Sequence, residues 1–403
     1  MFDDDEDDGT LDKNTLREIS ILRLLRSDNG HPNIVKIHDV QPPEEGGCGE
    51  GRMCMAMPMY QSGDLENLLD GGGIPTKGRA GRKARLGIAH GILSAVAFLH
   101  ENNVIHRDIK PGNIMIAEGL RPVIIDFSLA KIIDGKMGLV LPPGKTHTGS
   151  IGTPTYTAPE VVANQPYGTQ SDVWSCGVVL LEVLRGHTMD CEKDRTAIEF
   201  VEGAKAALPR QPFADLVRSM LEVDPESRAV CREALSADVF SAVGLEQPPQ
   251  RRVDFTKALR RQSFGTISDG VRSSGGSDGT KGRAVKTKGK KSGSSLRKVI
   301  RDLCAELECP DNSQIEEAAE MYFHVLSNRA GATGGAMELL GNPVLLDCVV
   351  LAEKFYAGEE RDLEHLHEDA GENYPAFKDW DLEAYRGTEA AVFKGMDYCL
   401  YLR

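Results

Sequence analysis

Three residues of complementary chemistry, Asp108, Lys110 and Asn113, lie within one short stretch of the chain. A carboxylate can accept a hydroxyl proton, an ammonium group can stabilise the charge of a moving phosphoryl group, and an amide oxygen can bind Mg²⁺. Phosphoryl transfer to a hydroxyl group needs these three functions at one place. The stretch is therefore a candidate catalytic loop, and the rest of the chain must supply the elements that position it.

A further carboxylate follows at the end of an apolar run. Asp126 comes directly after Val123–Ile125, which predicts a buried strand that delivers the side chain at its end. With this spacing, His106–Asn113 resembles the catalytic loop of protein kinases, H-R-D-x-x-x-x-N. The segment Asp126–Ser128 resembles their D-F-G motif, with serine in place of glycine.

The resemblance implies a role for each of these residues. Asp108 would be the catalytic base, Lys110 would stabilise the γ-phosphate, and Asn113 and Asp126 would bind Mg²⁺. It also implies ATP as the phosphoryl donor. A lysine at position 110 is typical of kinases that phosphorylate serine or threonine in protein substrates. The alternative is a kinase fold that has lost its chemistry.

The segment Gly152–Glu160 resembles the end of a kinase activation segment, G-T-x-x-Y-x-A-P-E. The resemblance implies that Thr153 bridges the catalytic aspartate and lysine. Thr148 and Ser150 are candidate phosphorylation sites whose phosphate would pair with Arg107. Equally, both could be ordinary hydroxyls of a solvated loop.

Two further motifs would support the loop. The segment Ser171–Leu181 resembles the buried helix αF of kinases, in which Asp172 would anchor the backbone of the catalytic loop. Arg228 lies in a segment that resembles the last kinase motif, and it would form a buried structural pair with Glu160.

Upstream, apolar residues at helical spacing predict a helix from Thr10 to Leu25 that contains Glu18. The segment Arg17–Ser20, R-E-I-S, resembles helix αC of cyclin-dependent kinases. In the family this glutamate helps to bind ATP by pairing with a strand lysine that follows a glycine-rich loop. Neither motif precedes Glu18. We expect a truncated kinase, and the alternative is a pseudokinase or scaffold.

The segment from Met55 to Leu65 resembles the strand, hinge and first turn of helix αD in kinases. Met57 would be the gatekeeper, the backbones of Met59 and Tyr60 would face adenine, and Asp64 would face the ribose. A hinge binds adenine through backbone groups, so the identity of its residues is a weak signal. A buried strand followed by a polar turn, without a role in binding, fits the same residues.

The predicted fold class is α+β, a protein-kinase-like fold over 10–243 with an incomplete small lobe and a mostly helical large lobe. Within it, Gly71–Lys83 predicts a loop and Ala84–Asn102 an amphipathic helix that resembles αE. Residues 1–9 form an acidic tail and 244–295 a basic, Gly- and Ser-rich linker; both are predicted to be disordered.

A second, all-α domain is predicted over 296–403, where apolar residues recur at helical spacing. One interpretation is a small helical bundle of unknown role. The other rests on two segments that resemble helices of a cyclin box, in which Lys354 and Glu389 would contact a kinase αC region. The second interpretation implies a cyclin-type contact within the chain or between chains.

Composition indicates where in the cell the protein is located and which kinds of partner it binds. The chain has 403 residues, nine cysteines without a C-x-x-C pair, and a formal net charge of −14. Free thiols and the absence of a signal-peptide pattern favour a cytoplasmic or nuclear protein. No apolar run is long enough for a membrane span, so we expect no membrane partner. The basic run Lys281–Lys291 could be a nuclear-import signal or a nucleic-acid patch. Such runs are more often solvated linkers, so we do not expect a nucleic-acid partner.

Overall fold

The computed structural model describes residues 13–26, 30–41, 53–75, 78–133, 154–189 and 196–253, with isolated residues between 300 and 352. The chain divides into two units. One contains Asn14–Gln41 and Cys54–Val253, and the other contains Met1–Lys13, Pro42–Met53 and Asp254–Arg403. The candidate catalytic residues all belong to the first unit.

The described secondary structure of the first unit is mostly helical. The helices are α1 (Lys13–Leu25), α2 (Leu65–Asp70), α3 (Gly78–Glu101), α4 (Pro159–Val162), α5 (Thr169–Arg185), α6 (Ala197–Ala206), α7 (Pro212–Met220), α8 (Cys231–Ala234) and α9 (Asp238–Ser241). The strands are β1 (Asp39–Gln41), β2 (Cys54–Ala56), β3 (Val104–Ile105), β4 (Ile114–Ala117), β5 (Arg121–Ile124) and β6 (Lys131–Ile132). They pair as three antiparallel ribbons, β1 with β2, β3 with β6 and β4 with β5.

Helix α5 is the core of the helical part. Its residues from Ser171 to Val183 are all buried, and Trp174 is among the largest fully buried side chains. A helix that is apolar on every side must be surrounded by other elements, and α5 packs between α3 and α7. It ends at Gly186, whose φ of 86° is the left-handed conformation that favours glycine. This buried helix is the rigid base of the candidate site.

Helix α3 is longer than its sequence pattern predicts. The apolar periodicity starts at Leu86, but the helix begins at Gly78, so the prediction of a loop up to Lys83 is wrong for its last six residues. Gly81 is buried, and the Arg85 guanidinium donates a hydrogen bond to the Leu184 carbonyl at 3.0 Å. These tertiary contacts outweigh the low helix propensity of glycine, about 1 kcal/mol per residue.

Helix α1 packs through a buried apolar face that includes Leu16, Ile19 and Leu22, as its spacing predicts. The segment after it joins the catalytic region through backbone hydrogen bonds. The Ile124 N–H donates to the Asn33 carbonyl, and the Val35 N–H donates to the Ile124 carbonyl, both at 2.9 Å. The strand that leads to Asp126 is therefore fixed to the segment that follows α1.

The predicted linker starts later than expected. Residues 244–253 belong to the first unit and lie along α3. The Asn102 amide donates to the Arg251 carbonyl at 3.1 Å and accepts from the Val253 N–H at 2.6 Å, and the Arg251 N–H donates to Glu101 Oε2 at 3.1 Å. A polar, irregular segment shows no periodicity in sequence, although the side chains of Glu101, the last residue of α3, and of Asn102, which follows it, satisfy its backbone groups.

In the second unit, the described residues are short helical pieces. Ile315, Ala318, Ala319 and Tyr322 are helical and buried, at the spacing from which a helix was predicted. The two residues of the predicted cyclin-type contact, Lys354 and Glu389, lie outside the described residues. No helix in the described ranges is long and apolar enough to span a membrane.

Candidate active site

The three residues with complementary chemistry meet in the loop between β3 and β4. Lys110 Nζ lies 2.8 Å from Asp108 Oδ2, and the Asn113 amide nitrogen donates to the same oxygen at 2.8 Å. Asp108 is 9% exposed, and Asn113 lies at the end of a short 3₁₀ turn, Pro111–Asn113. The Asn113 nitrogen faces the aspartate, so its carbonyl oxygen is the atom that can bind a cation.

Asp172 fixes the backbone of this loop from the buried helix α5. Its carboxylate accepts hydrogen bonds from the backbone N–H groups of His106 and Arg107, both at 2.9 Å, and from His100 Nε2 at 3.0 Å. Burial alone would raise the pKa of Asp172. The hydrogen bond and charge of His100, with the help of His106, lower that pKa below its ordinary value instead. Asp172 is thus an ionised anchor of the loop, as predicted from the sequence.

His106 supports the loop through packing. Its ring lies edge-on to Phe127 with the centroids 4.8 Å apart, and its Nε2 lies 3.1 Å from the Ile125 carbonyl. Burial lowers the pKa of His106, so the imidazole stays neutral near pH 7. A buried neutral ring that contacts no catalytic carboxylate is a structural element.

Asp126 lies two residues after the end of β5, next to the candidate catalytic loop. The backbone N–H of Ile125 donates to the backbone carbonyl of Asn113 at 3.0 Å. This hydrogen bond brings the two predicted Mg²⁺ ligands onto adjacent segments. Asp126 has a φ of 61°, a conformation that costs a non-glycine residue energy and is often found at functional sites. The Ser128 hydroxyl donates to Asp126 Oδ1 at 2.6 Å. A carboxylate and an amide oxygen fit Mg²⁺, which takes few protein ligands together with phosphate oxygens and water.

Glu18 projects from α1 toward the same segment. Its Oε1 accepts a hydrogen bond from the Phe127 N–H at 3.1 Å. Burial raises the pKa of Glu18 to about 7, and the charge of Asp126 adds to this effect. The structure thus places the predicted ATP-site glutamate next to the segment that carries the predicted Mg²⁺ ligand Asp126.

The predicted hinge residues follow β2 directly. Met57 is 41% exposed and Met59 is 87% exposed, so neither side chain belongs to the core. Tyr60 is half-buried, and burial raises the pKa of its hydroxyl. Asp64 caps α2, since its Oδ1 accepts from the Asn67 N–H at 2.8 Å. The adenine and ribose contacts of these residues remain predictions.

Arg228 and Glu160 form the predicted buried pair. Two nitrogens of the guanidinium each lie 2.6 Å from a different oxygen of the carboxylate, and the side chains are almost fully buried. The guanidinium also lies 5.2 Å from the ring of Trp174 on α5. The pair therefore fixes the end of the activation segment to the buried core.

The structure brings the charges of Arg107 and Arg17 to bear on Lys131, a basic cluster that sequence reasoning missed. Arg107 has a φ of 69°, and its side chain donates to the Leu129 carbonyl and to the Tyr167 hydroxyl. Burial lowers the pKa of Lys131, and the positive charges of Arg107 and Arg17 lower it further. Only proximity in the fold brings these three cations together. The predicted bridging residue Thr153, and the region of the two candidate phosphosites, lie outside the described residues.

The fold and the site together define a protein kinase catalytic domain. A family model described as the protein kinase domain matches residues 1–240, more than half of the chain. The chain therefore belongs to the protein kinase family, and the predicted kinase-like α+β fold is confirmed.

Several protein kinases are similar to this chain. It is 31% identical over 254 residues to the SNF1-related protein kinase catalytic subunit alpha KIN12 of Arabidopsis thaliana, an alignment that covers 61% of this chain and 47% of that protein. It is 30% identical over 229 residues to CBL-interacting protein kinase 19 of Oryza sativa subsp. japonica, with 56% and 41% covered. It is 32% identical over 228 residues to serine/threonine-protein kinase GIN4 of Saccharomyces cerevisiae, with 54% and 18% covered. The chain thus spans less than half the length of these relatives.

Proposed function

We propose that this chain is a serine/threonine protein kinase that transfers the γ-phosphate of ATP to protein hydroxyls with the help of Mg²⁺. The observation that carries the proposal is the buried loop in which Lys110 and Asn113 each lie 2.8 Å from the Asp108 carboxylate. The names of two of its relatives, which include "serine/threonine-protein kinase", support the same substrate class.

Each residue of the loop has one task in this reaction. Asp108 accepts the proton of the substrate hydroxyl as its oxygen attacks the γ-phosphorus, and the bond between that phosphorus and the ADP oxygen breaks. Lys110, already beside the carboxylate, neutralises charge on the transferred group. Asp172 holds the backbone of the loop, so these groups need no rearrangement during the reaction.

The metal ligands of the proposal are the Asn113 amide oxygen and the Asp126 carboxylate. Bound there, Mg²⁺ would neutralise the phosphate oxygens of the nucleotide. The chain's own contribution is to hold the two ligands on adjacent segments. A hydrogen bond from the backbone N–H of Ile125 to the backbone carbonyl of Asn113 joins these segments. The Ser128 hydroxyl donates to one oxygen of that carboxylate, Oδ1, and so competes with the metal for it.

The basic cluster of Arg107, Arg17 and Lys131 suits regulation by phosphate. The charges of Arg107 and Arg17 already disfavour the charge of Lys131, and a bound dianion would offset that repulsion. A phosphate on the activation segment, at Thr148 or Ser150 as the sequence predicts, is the proposed ligand. Its binding would fix that segment next to Asp108.

Two finer hypotheses concern the flanking regions. The resemblance of α1 to a cyclin-dependent kinase rests on the R-E-I-S segment around Glu18, and the cyclin-like interpretation of 296–403 rests on two helical segments beyond the matched residues 1–240. We keep both as proposals. Binding of separately expressed 296–403 to a kinase domain would support the second, and failure to bind the chain's own kinase unit or any other would refute it.

Phosphorylation and nucleotide binding by the full chain test the proposal together. With MgATP and a serine peptide, the chain should form phosphoserine, and MgATP should raise its melting temperature. A chain that neither binds MgATP nor transfers phosphate would instead be the alternative, a non-catalytic pseudokinase or scaffold, and the proposed activity would be wrong.

A further inference from the structure

A cavity of about 230 Å³ lies between four helices of the kinase unit. Each helix contributes one apolar residue to its walls: Leu86 of α3, Leu184 of α5, Phe213 of α7 and Val239 of α9. Leu184 is half-buried and the other three are buried. An apolar cavity of about 150 Å³ can hold a benzene molecule, so this one has room for the ring of an aromatic side chain.

Two arginines complete the lining of the cavity. Arg82 is exposed, whereas Arg85 is half-buried and its guanidinium donates to the Leu184 carbonyl at 3.0 Å, which fixes its charge in the wall. Gln211 and Pro212, at the start of α7, are exposed and lie at the mouth. The cavity therefore combines an apolar interior with a positively charged rim.

This rim continues into a run of positive charge at the start of α3. The helix has no acidic residue in its first turn, and Arg79 lies three and four positions before Arg82 and Lys83. Like charges at this spacing repel one another, and cations at the N-terminus of a helix also oppose its dipole. Within the ranges that the structure describes, none of these three residues forms an ion pair. Cations that are unfavourable for their own helix indicate a negatively charged partner.

The partner must bring several negative charges together with one apolar group. A small molecule with a single carboxylate cannot face cations that extend over more than one turn of α3. A nucleic-acid strand has enough charge, but it carries no aliphatic or aromatic side chain to enter the cavity. A peptide segment with several aspartates or glutamates around one large apolar side chain has both features.

We propose that the cavity and the exposed cations Arg79, Arg82 and Lys83 form a docking surface for an acidic segment of a partner protein that carries one large apolar side chain. The apolar side chain enters the cavity, and the carboxylates pair with the cations. Helix α3 ends at Glu101, roughly 28 Å from Arg82 at the usual rise per residue. A docked segment therefore leaves the catalytic loop accessible, and the inference does not rest on the proposed kinase activity.

Fluorescence anisotropy of a labelled peptide tests this docking surface on the full chain. The probe carries one phenylalanine between two runs of glutamate, and two comparison peptides replace the phenylalanine by alanine or the glutamates by glutamine. Because the alanine peptide cannot fill the cavity, it should bind at least roughly tenfold more weakly. The glutamine peptide should also bind more weakly, and added salt should weaken binding of the probe because exposed charges are screened.

Variants at exposed positions locate the probe. The double variant Arg79→Gln, Arg82→Gln loses two exposed charge pairs and should bind it roughly tenfold more weakly. Gln211→Trp places a ring at the mouth of the cavity and should also weaken binding; the Gln211 side chain makes no capping hydrogen bond, so the fold should remain intact. The matched control Lys36→Gln, Arg252→Gln removes the same charge from other exposed positions and should bind the probe unchanged.

The results separate docking from attraction by charge alone. Binding that needs both the phenylalanine and the glutamates, and that the α3 variant loses and the control retains, supports the docking surface whether or not the chain transfers phosphate. Absence of probe binding, or an equal loss in the α3 variant and the control, would overturn it. Equal binding of the phenylalanine and alanine peptides would exclude a role for the cavity and overturn it as well. Displacement of the probe by a single-stranded oligonucleotide of equal charge, as effective as by unlabelled probe, would assign the surface to nucleic acid instead.

Discussion

Substitution of Asp172 by asparagine should displace the catalytic loop while leaving the buried helix in place. The carboxylate accepts the N–H groups of His106 and Arg107 at 2.9 Å each, one with each oxygen. An asparagine retains one acceptor oxygen and presents an NH₂ group where the other oxygen stood. One backbone N–H of the loop then faces a donor and loses its partner.

The cost follows from the hydrogen bonds lost. A hydrogen bond to a charged acceptor contributes about 1.5–3 kcal/mol, and the N–H that remains buried is left unsatisfied. We expect Asp172→Asn to lower the free energy of unfolding by about 2–4 kcal/mol. A shift of the loop by about 1 Å can cost roughly a hundredfold in kcat, because Asp108 no longer meets the substrate hydroxyl in line.

Three measurements separate anchoring of the loop from a general loss of stability. Urea unfolding gives the free energy, peptide phosphorylation gives kcat, and amide hydrogen exchange at His106 and Arg107 reports the local opening. The neighbouring variant Ser171→Ala loses one hydrogen bond to the Gly168 carbonyl and should cost about 1 kcal/mol, with no faster exchange at the loop. Unchanged exchange at both loop amides in Asp172→Asn would refute the reasoning.

Three further changes probe other contacts. Arg228→Met leaves the buried carboxylate of Glu160 without its cation, so urea unfolding should show a loss of about 3–5 kcal/mol in the free energy of unfolding. Asp215→Asn removes an exposed ion pair and should cost at most about 1 kcal/mol. Similar losses in the two variants would contradict this. Burial raises the pKa of Glu182 from 4.5 to about 7, so the folded state retains a proton that the unfolded state releases, and stability should fall as pH rises from roughly 5 to 7. Glu182→Gln should flatten that slope in pH-dependent unfolding, and an unchanged slope would be contrary to the shift. Ser128→Ala removes the hydroxyl that competes for Asp126 Oδ1 and should raise the apparent affinity for Mg²⁺ about fivefold in activity titrations; a lower affinity would show that the hydroxyl helps to bind the metal.

The meeting of the three candidate catalytic residues could be predicted from sequence because they are local. Asp108, Lys110 and Asn113 lie in one loop, so their spacing in sequence fixes their meeting in space. Asp172 is distant in sequence from the loop that it anchors, and Glu160 is distant from its partner Arg228. Each of these residues nevertheless lies in a motif of its own. Such motifs make a family resemblance informative about contacts that spacing alone does not show.

Other features depend on the fold and have no sequence signal. Glu66 and Glu182 are far apart in the chain, and only the packing of α2 near the end of α5 brings them together. The charge of Arg17 acts on Lys131 in the same way. The segment 244–253 is polar and irregular, so nothing in its pattern shows that Asn102 and Glu101 bind its backbone.

The most direct test of the proposed chemistry is a single-turnover measurement of phosphate transfer by the full chain and by Asp108→Asn. Asparagine has nearly the same shape but cannot accept the hydroxyl proton as a carboxylate does. General base catalysis contributes about 10²–10⁴-fold, so the variant should transfer phosphate at least roughly a hundredfold more slowly while it remains folded and binds MgATP as before. An equal transfer rate in a folded Asp108→Asn chain would contradict the assignment of the catalytic loop.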